Sequence, residues 1–150
     1  MDPSPPALHR YFFTKIELLA HTNSDVNNLN TLSATVSLGR HDALKNHYLV
    51  TLDVIIGTEP GKPTHYTGRF EVHGYFSVVE NYPTDQHETL VGANGPAVLY
   101  SIIREMVANL TSRGPWPAIM LQVVTFVKSG KEEEDKTQVG KPMPHMIATK

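Results

Sequence analysis

The chain contains no cysteine among its 150 residues. This absence excludes disulfides, thiolate nucleophiles and cysteine-based zinc sites, and it leaves the redox compartment undetermined. Neither sign of charge is in large excess, because 13 lysines and arginines stand against 15 acidic residues for a net charge of −2. Proteins that bind nucleic acid usually carry a basic patch, so we expect no nucleic-acid partner.

Long apolar runs are missing as well. No run approaches the roughly 18 residues that a membrane-spanning helix needs, so we expect no membrane insertion. The first ten residues, MDPSPPALHR, have neither the basic nor the apolar region of a secretory signal, which favours a cytoplasmic location. The length fits one domain, and the composition predicts a flexible N-terminus (1–8), a folded domain (9–128) and a flexible tail (129–150).

Sequence motifs for catalysis and metal binding are absent too. The eight histidines are scattered, with no His-x-His and no His-Glu-x-x-His, and no Gly-x-Ser-x-Gly element marks a nucleophile. A catalytic site formed by Ser, His and Asp side chains that are distant in sequence but meet in space would show no such motif. We expect a protein that is not an enzyme and that needs no metal or cofactor.

Four segments have the alternation of apolar and polar residues that is typical of half-buried strands. They are residues 11–20, 31–38, 48–56 and 66–79. An Asn-rich connection of about ten residues separates the first two, which is long for a hairpin. The fourth segment contains Gly68 and Gly74, where we expect bulges that curve the strand. Its 14 residues are many for a domain with one helix, so we expect part of the apolar surface to be buried between subunits.

A single amphipathic helix follows the strands. Pro96 is typical of the first helical position, and Asn94 or Gly95 is typical of the cap before it, which predicts that the helix starts at Pro96. Gly114 after Arg113 is typical of a left-handed residue at a helix end, and Pro115 prevents continuation. Between these signals, seven apolar residues recur at spacings of three and four and form one broad face that must be buried. They are Val98, Leu99, Ile102, Ile103, Met106, Val107 and Leu110.

The order of these elements, together with several short motifs, resembles the SecB family of export chaperones over residues 11–126. The similarity is clearest around the helix and in the proline-bounded apolar run 121–126, which we expect to be a strand. The motifs are Thr14-Lys15 in the first strand, Glu71-Val72 and Gly74 in the fourth, and Gly95-Pro96, Arg104-Glu105, Ser112-Arg113-Gly114 and Pro117 in and after the helix.

The resemblance implies an α+β protomer in which a four-stranded antiparallel sheet with a long crossover connection packs against a long helix. It also implies a dimer of dimers, a homotetramer, with its interface at Ile102, Ile103, Met106, Val107 and Leu110. Such proteins hold unfolded polypeptide clients in apolar grooves without ATP, during protein export and translocation. The client-binding residues that the resemblance implies are Val26, Leu29, Leu32, Phe76, Val78, Trp116, Leu121, Val124 and Phe126.

Departures from the family pattern favour a second hypothesis. Lys15 and Leu19 stand near first-strand positions where export members carry the acidic side chains that engage the SecA motor, whereas Glu71 is retained. After Phe126 no helical periodicity predicts the second helix that covers the groove in the family. In these respects the chain is similar to members that serve one dedicated partner, such as an antitoxin. Trp116 and Phe126 also admit an interpretation as core residues.

Overall fold

The computed structural model describes residues 6–22, 31–57 and 64–126. Its four strands are β1 (Ala7–Ala20), β2 (Leu32–Arg40), β3 (His47–Ile56) and β4 (Tyr66–Ser77), followed by a 3₁₀ turn (Thr84–Gln86) and one long helix, α1 (His87–Thr111). The strands form one antiparallel sheet in the order β1-β4-β3-β2. Because β1 and β2 lie at opposite edges, the chain between them crosses the sheet. The predicted α+β fold with a crossover connection is confirmed at the level of the protomer.

The core lies between one face of the sheet and α1. Alternate residues of the central strands point to this face, so the even-numbered residues of β3 are buried while the odd-numbered ones are partly exposed. The helix buries one stripe against them, with Leu99, Ile103 and Val107 fully inaccessible. The fully buried strand residues of this core are Val50, Leu52, Val54, Ile56, Phe70, Val72 and Phe76.

The predicted helix start was wrong. The helix begins at His87, two turns before Gly95, and Pro96 lies in its interior. Packing explains the extension, because Val91 is fully buried and the His87 ring contacts the Tyr48 hydroxyl (3.2 Å) and the Tyr82 carbonyl (3.0 Å). Gly95 permits close approach to the sheet, since a Cβ there would lie 3.0 Å from Val50 Cγ2.

The two glycines of β4 do not form the predicted bulges. Pairing between β3 and β4 is continuous, and both register shifts fall between β1 and β4, where His9 and Thr14 are the extra residues of β1. Gly74 instead lies directly beneath the helix, because a Cβ there would sit 2.9 Å from Leu99 Cδ2. A Cβ on Gly68 would sit 2.6 Å from the Glu17 carbonyl oxygen, so this glycine permits close packing of β1 on β4.

The end of the helix also differs from the sequence prediction. Thr111 is the last helical residue, and among the described residues positive φ angles belong to Asn46 and Gly57, not to Gly114. The predicted strand at 121–126 is irregular chain in the structure. The main chain there bonds to side chains of α1 rather than to a strand, which is why the apolar run forms no regular element.

Candidate functional site

The residues predicted to bind clients occupy three different environments. Phe76 and Val78 are buried beneath α1, so they present almost no surface in this conformation. Leu32 is half-buried at the start of the edge strand β2. Val26 and Leu29 lie outside the described residues. The remaining predicted residues, Trp116, Leu121, Val124 and Phe126, all follow the helix and lie together on one segment.

Trp116 marks the beginning of this segment. Its indole ring stacks on the His65 imidazole with centroids 4.0 Å apart and planes within 5° of parallel. The Tyr66 hydroxyl accepts from the Trp116 N–H (3.3 Å) and donates towards the carbonyls of Trp116 (3.4 Å) and Thr111 (3.3 Å). The start of β4 therefore fixes both the ring and the main chain of Trp116.

Two features of the packing around Gly114 and Trp116 limit which side chains fit there. A Cβ on Gly114 would overlap the Tyr66 hydroxyl and lie 3.0 Å from Cζ of the same ring, so a side chain at Gly114 is sterically excluded. The Trp116 indole Nε1–H is buried and has no hydrogen-bond partner in the described part of the chain. A buried donor without a partner costs about 1–3 kcal/mol, which makes this a weak point of the packing.

Residues 117–126, here called the post-helix segment, lie along α1 and run in the opposite direction. The Ile119 N–H donates to Thr111 Oγ1 (2.9 Å), Arg104 Nε donates to the Leu121 carbonyl (2.9 Å) and the Tyr100 hydroxyl donates to the Gln122 carbonyl (2.7 Å). Burial raises the pKa of Tyr100, and the neighbouring charge of Arg104 opposes this shift only in part.

Side chains of the post-helix segment divide into buried anchors and exposed residues. Leu121 and Phe126 are each only 6% exposed, and the Phe126 ring meets the Tyr100 ring edge-on at 5.8 Å. Met120 and Val123, by contrast, are 70% and 71% exposed. The sequence prediction did not include these two residues. Residues 115–126 contain no charged side chain, and that absence of charge was the available signal.

The residues predicted for the oligomer interface also divide into two groups. Ile103 and Val107 are fully buried against the sheet of their own protomer. Ile102, Met106 and Leu110 are only partly buried. Val98, one turn before Ile102, is 39% exposed. The helix therefore presents a partly exposed apolar stripe beside the stripe that packs on the sheet.

A second apolar surface lies on the edge strand β1. Tyr11 and Ile16 are each 48% exposed, and Phe13 and Leu18 are half-buried. Each of these four residues pairs with a β4 residue of the core-facing set, so all four belong to the helix side of the sheet. An edge strand that carries exposed apolar residues is a typical surface for association with another chain.

The opposite face of the sheet carries hydrogen-bonded polar side chains among apolar residues such as Phe12, Leu49 and Ile55. Thr14 donates to Glu71 Oε1 (2.7 Å) and contacts His73 Nε2 (3.0 Å), which ties the bulge of β1 to β4. Arg69 forms two hydrogen bonds with Asp53 (3.0 and 2.7 Å), and this carboxylate raises the Arg69 pKa. Because these groups are solvent-exposed, we expect them to contribute little to stability.

In the described ranges 6–22, 31–57 and 64–126, no three His, Asp or Glu side chains are grouped so that they could hold a metal ion. The helix in these ranges lacks the apolar length that crossing a membrane requires. The candidate site consists of exposed and half-buried apolar side chains beside α1 side chains that hydrogen-bond to the main chain.

Comparisons with known proteins agree in one family. The profile of the family described as preprotein translocase subunit SecB matches residues 23–135. The protein-export protein SecB of Rhodopseudomonas palustris (strain BisB5) is 28% identical over 112 residues, which cover 74% of this chain and 70% of that protein. The SecB of Psychrobacter cryohalolentis is 27% identical over 94 residues, or 63% of this chain and 62% of that protein. The alignment thus spans less than two thirds of the second relative.

One solved structure has a similar fold. A SecB-like chaperone of Mycobacterium tuberculosis, in complex with a peptide from the HigA1 antitoxin, superposes with a TM-score of 0.59. The two chains are 19% identical, and the superposition covers 80% of this chain and 88% of the other. At this identity the likeness supports the fold alone.

Proposed function

The chain belongs to the SecB family, whose proteins are chaperones and not enzymes, and from this premise we propose that it is an ATP-independent holdase. It binds unfolded or partly folded polypeptides on apolar surface during protein export, in the cytoplasm. The resemblance inferred from the sequence is confirmed by the family match.

The observation that carries this proposal is the apolar character of the post-helix segment and its corner at Trp116. Met120 and Val123 are largely exposed there, and Val124 and Trp116 are half-buried. A monomeric protein rarely exposes a contiguous apolar patch without a binding role. Unfolded chains are recognised by burial of apolar side chains, which demands no particular client sequence. We include half-buried Leu32 in the client surface, together with Val26 and Leu29 of the crossover connection.

The other predicted client contacts require movement of the protein. Leu121 and Phe126 anchor the post-helix segment, and Phe76 and Val78 are covered by α1. A client can occupy the positions of Leu121 and Phe126 only if the post-helix segment shifts away from α1. The proposed client contacts therefore form two groups: residues that are accessible in this conformation, and residues that become accessible only when the protein changes conformation.

We propose in addition that the protein assembles as a dimer of dimers. Support comes from the partly exposed stripe of Val98, Ile102 and Met106 on α1 and from the apolar edge at Tyr11 and Ile16 on β1. Burial of both surfaces between subunits would remove their exposed apolar side chains from water.

The alternative is a dedicated chaperone for one partner, such as an antitoxin, that works without SecA. It is favoured by Lys15 and Leu19 on β1, which stand near the strand positions where export members carry acidic side chains, although Glu71 is present on β4 opposite Lys15. It is also favoured by the antitoxin peptide bound to the similar M. tuberculosis chaperone. Saturable binding of one partner, with no affinity for unrelated unfolded proteins, would distinguish this alternative.

The experiment that tests the client site is Trp116→Ser, compared with Leu44→Ser, which changes an exposed residue in the β2–β3 connection. Aromatic residues at the centre of an interface often cost about 2 kcal/mol or more when truncated, so we expect client affinity to fall by about ten-fold or more. The measurement is titration of a fluorescently labelled, permanently unfolded protein, with the oligomer checked by light scattering. Unchanged affinity in a folded Trp116→Ser protein would remove Trp116 from the site.

A further inference from the structure

The post-helix segment is held by its main chain. Three α1 side chains bind main-chain atoms of the segment: Thr111 Oγ1 accepts from the Ile119 N–H, Arg104 Nε donates to the Leu121 carbonyl and the Tyr100 hydroxyl donates to the Gln122 carbonyl. Backbone groups are the same in every polypeptide. These contacts therefore do not depend on the sequence of the chain that occupies this side of the helix.

The three α1 side chains that bind the segment lie along one side of the helix. Tyr100, Arg104 and Thr111 lie within about 40° of one another around the helix, because each residue advances it by about 100°. They extend over about 16 Å of helix length, at 1.5 Å per residue, and bind main-chain atoms of residues 119–122. Thr111 is held in place by its own hydrogen bond to the Val107 carbonyl (2.7 Å), so its oxygen lone pair faces the segment.

Two apolar sites accompany these side chains. Leu121 and Phe126 fill them, while Met120 and Val123 point into solvent. An extended peptide in a groove has the same division between anchoring and exposed side chains. Residues 115–126 carry no charged side chain, and apolar contacts together with hydrogen bonds to the main chain hold the segment along the helix.

We propose that this side of α1 is a peptide-binding site that the post-helix segment occupies in the free protein and that an extended apolar client segment takes over by displacing it. The inference rests on the proposed holdase function and adds a regulatory step to it. The occupant is an uncharged, apolar stretch of unfolded chain of about eight residues, with the length of Ile119 to Phe126.

Because the protein's own post-helix segment occupies the site, only some client segments can bind there. A segment tethered through the short connection after α1 competes at an effective concentration in the millimolar range. A client segment must therefore bury at least as much apolar surface as Leu121 and Phe126 do, and polar or charged segments cannot displace it. The site selects apolar stretches that are exposed in unfolded proteins and hidden in folded ones.

Thiol labelling tests the displacement directly, because the chain has no native cysteine. Leu121→Cys places a thiol at a buried anchor, and Val123→Cys is the matched exposed control. The probe is a permanently unfolded protein whose own cysteines are carboxymethylated, added at saturation. We expect the alkylation rate of Leu121→Cys to rise about ten-fold towards that of Val123→Cys, whose rate falls or stays constant. An unchanged rate at Leu121→Cys, with client binding saturated, would overturn the proposal.

Hydrogen exchange on the unmodified protein covers the case in which Leu121→Cys does not fold. Saturating client should increase exchange of the Ile119 amide, whose donor bond to Thr111 is broken on displacement. Slower or equal exchange at this amide would contradict displacement. Absence of client binding in any form of the protein would overturn the holdase function together with this inference, whereas binding without release of the segment would overturn only the latter.

An affinity measurement gives an independent answer. Leu121→Ser weakens the competing segment, so we expect the same unfolded protein to bind about five-fold more tightly than to wild type. Leu44→Ser removes an exposed apolar side chain from the β2–β3 connection, outside the proposed site, and is expected to leave binding within two-fold of wild type. Weaker or equal binding by folded Leu121→Ser would show that the segment supports client binding instead of competing with it.

Discussion

Gly114→Ala is expected to destabilise the protein because its new methyl group would overlap the Tyr66 hydroxyl and lie 3.0 Å from Cζ of that ring. Overpacking of this kind costs about 1–3 kcal/mol, and displacement of the hydroxyl weakens hydrogen bonds worth about 0.5–1.5 kcal/mol each. We therefore expect the free energy of unfolding to fall by about 2–3 kcal/mol. For a chain of this size that corresponds to a Tm lower by about 5–10 °C.

The assay is urea unfolding followed by tryptophan fluorescence. Trp116 is the single tryptophan of the chain, so its emission reports directly on the corner that Gly114 and Tyr66 build. Gly92→Ala is the matched control, because a Cβ at this helical glycine meets nothing within 4 Å. It should be neutral or stabilise the protein by up to about 1 kcal/mol.

A double-mutant cycle with Tyr66→Phe tests the cause. Removal of the hydroxyl relieves the overlap, so Gly114→Ala should cost at least about 1 kcal/mol less in the Tyr66→Phe protein than in wild type, well outside the roughly 0.5 kcal/mol scatter of independent sites. Additive effects of the two substitutions would refute the steric explanation. Equal costs for Gly114→Ala and Gly92→Ala would do the same.

Ile102→Asp places a charge in the proposed interface, where an uncompensated buried charge costs about 3–5 kcal/mol. Light scattering should therefore detect species smaller than the wild-type oligomer. Leu44→Asp, in the exposed β2–β3 connection, should keep the wild-type mass. Burial raises the pKa of Tyr100 above its ordinary value of about 10, so its contribution to stability is complete below about pH 10 and is lost as the pH rises from there towards the raised pKa of the folded protein. The Tm of wild type should therefore fall more steeply than that of Tyr100→Phe above about pH 10, and parallel profiles would contradict this assignment. Tyr48, whose pKa burial also raises, is present in both proteins and cancels from the comparison.

The strands could be predicted from the sequence because a sheet with one buried face imposes strict alternation. The four alternating segments agree with the four strands of the sheet, and the largest difference is the four-residue extension of β1 to Ala7. The crossover followed from the length of the polar connection and the resemblance. Strand positions are set by burial on one face of the sheet, and the connection by local composition, and each of these leaves a pattern in the sequence.

The helix start could not be predicted because Gly95 and Pro96 carry local signals that tertiary packing overrides. Gly95 is required by contact with Val50 on β3, 45 residues earlier, and this contact has no trace in the neighbouring sequence. Gly114 has the same kind of cause, since its partner Tyr66 lies on β4. In both cases a glycine that resembled a helix signal is explained by close approach of another element.

The candidate site was predicted in outline and missed in detail. Trp116 and the apolar run after it were included, but the apolar composition of that run and the family resemblance indicated a strand, and the exposed Met120 and Val123 were left out. The polar residues Tyr100 and Arg104 gave no signal, because they bind main-chain atoms that are not adjacent in sequence. Contacts of that kind become visible only when the fold is known.

Suppression of aggregation tests the central claim most directly. A chemically unfolded, slowly folding protein is diluted into buffer without ATP, and its light scattering is followed while the SecB-family protein is titrated as tetramer. We predict that aggregation is suppressed near one tetramer per client. Absence of suppression by a folded tetramer would contradict general holdase activity.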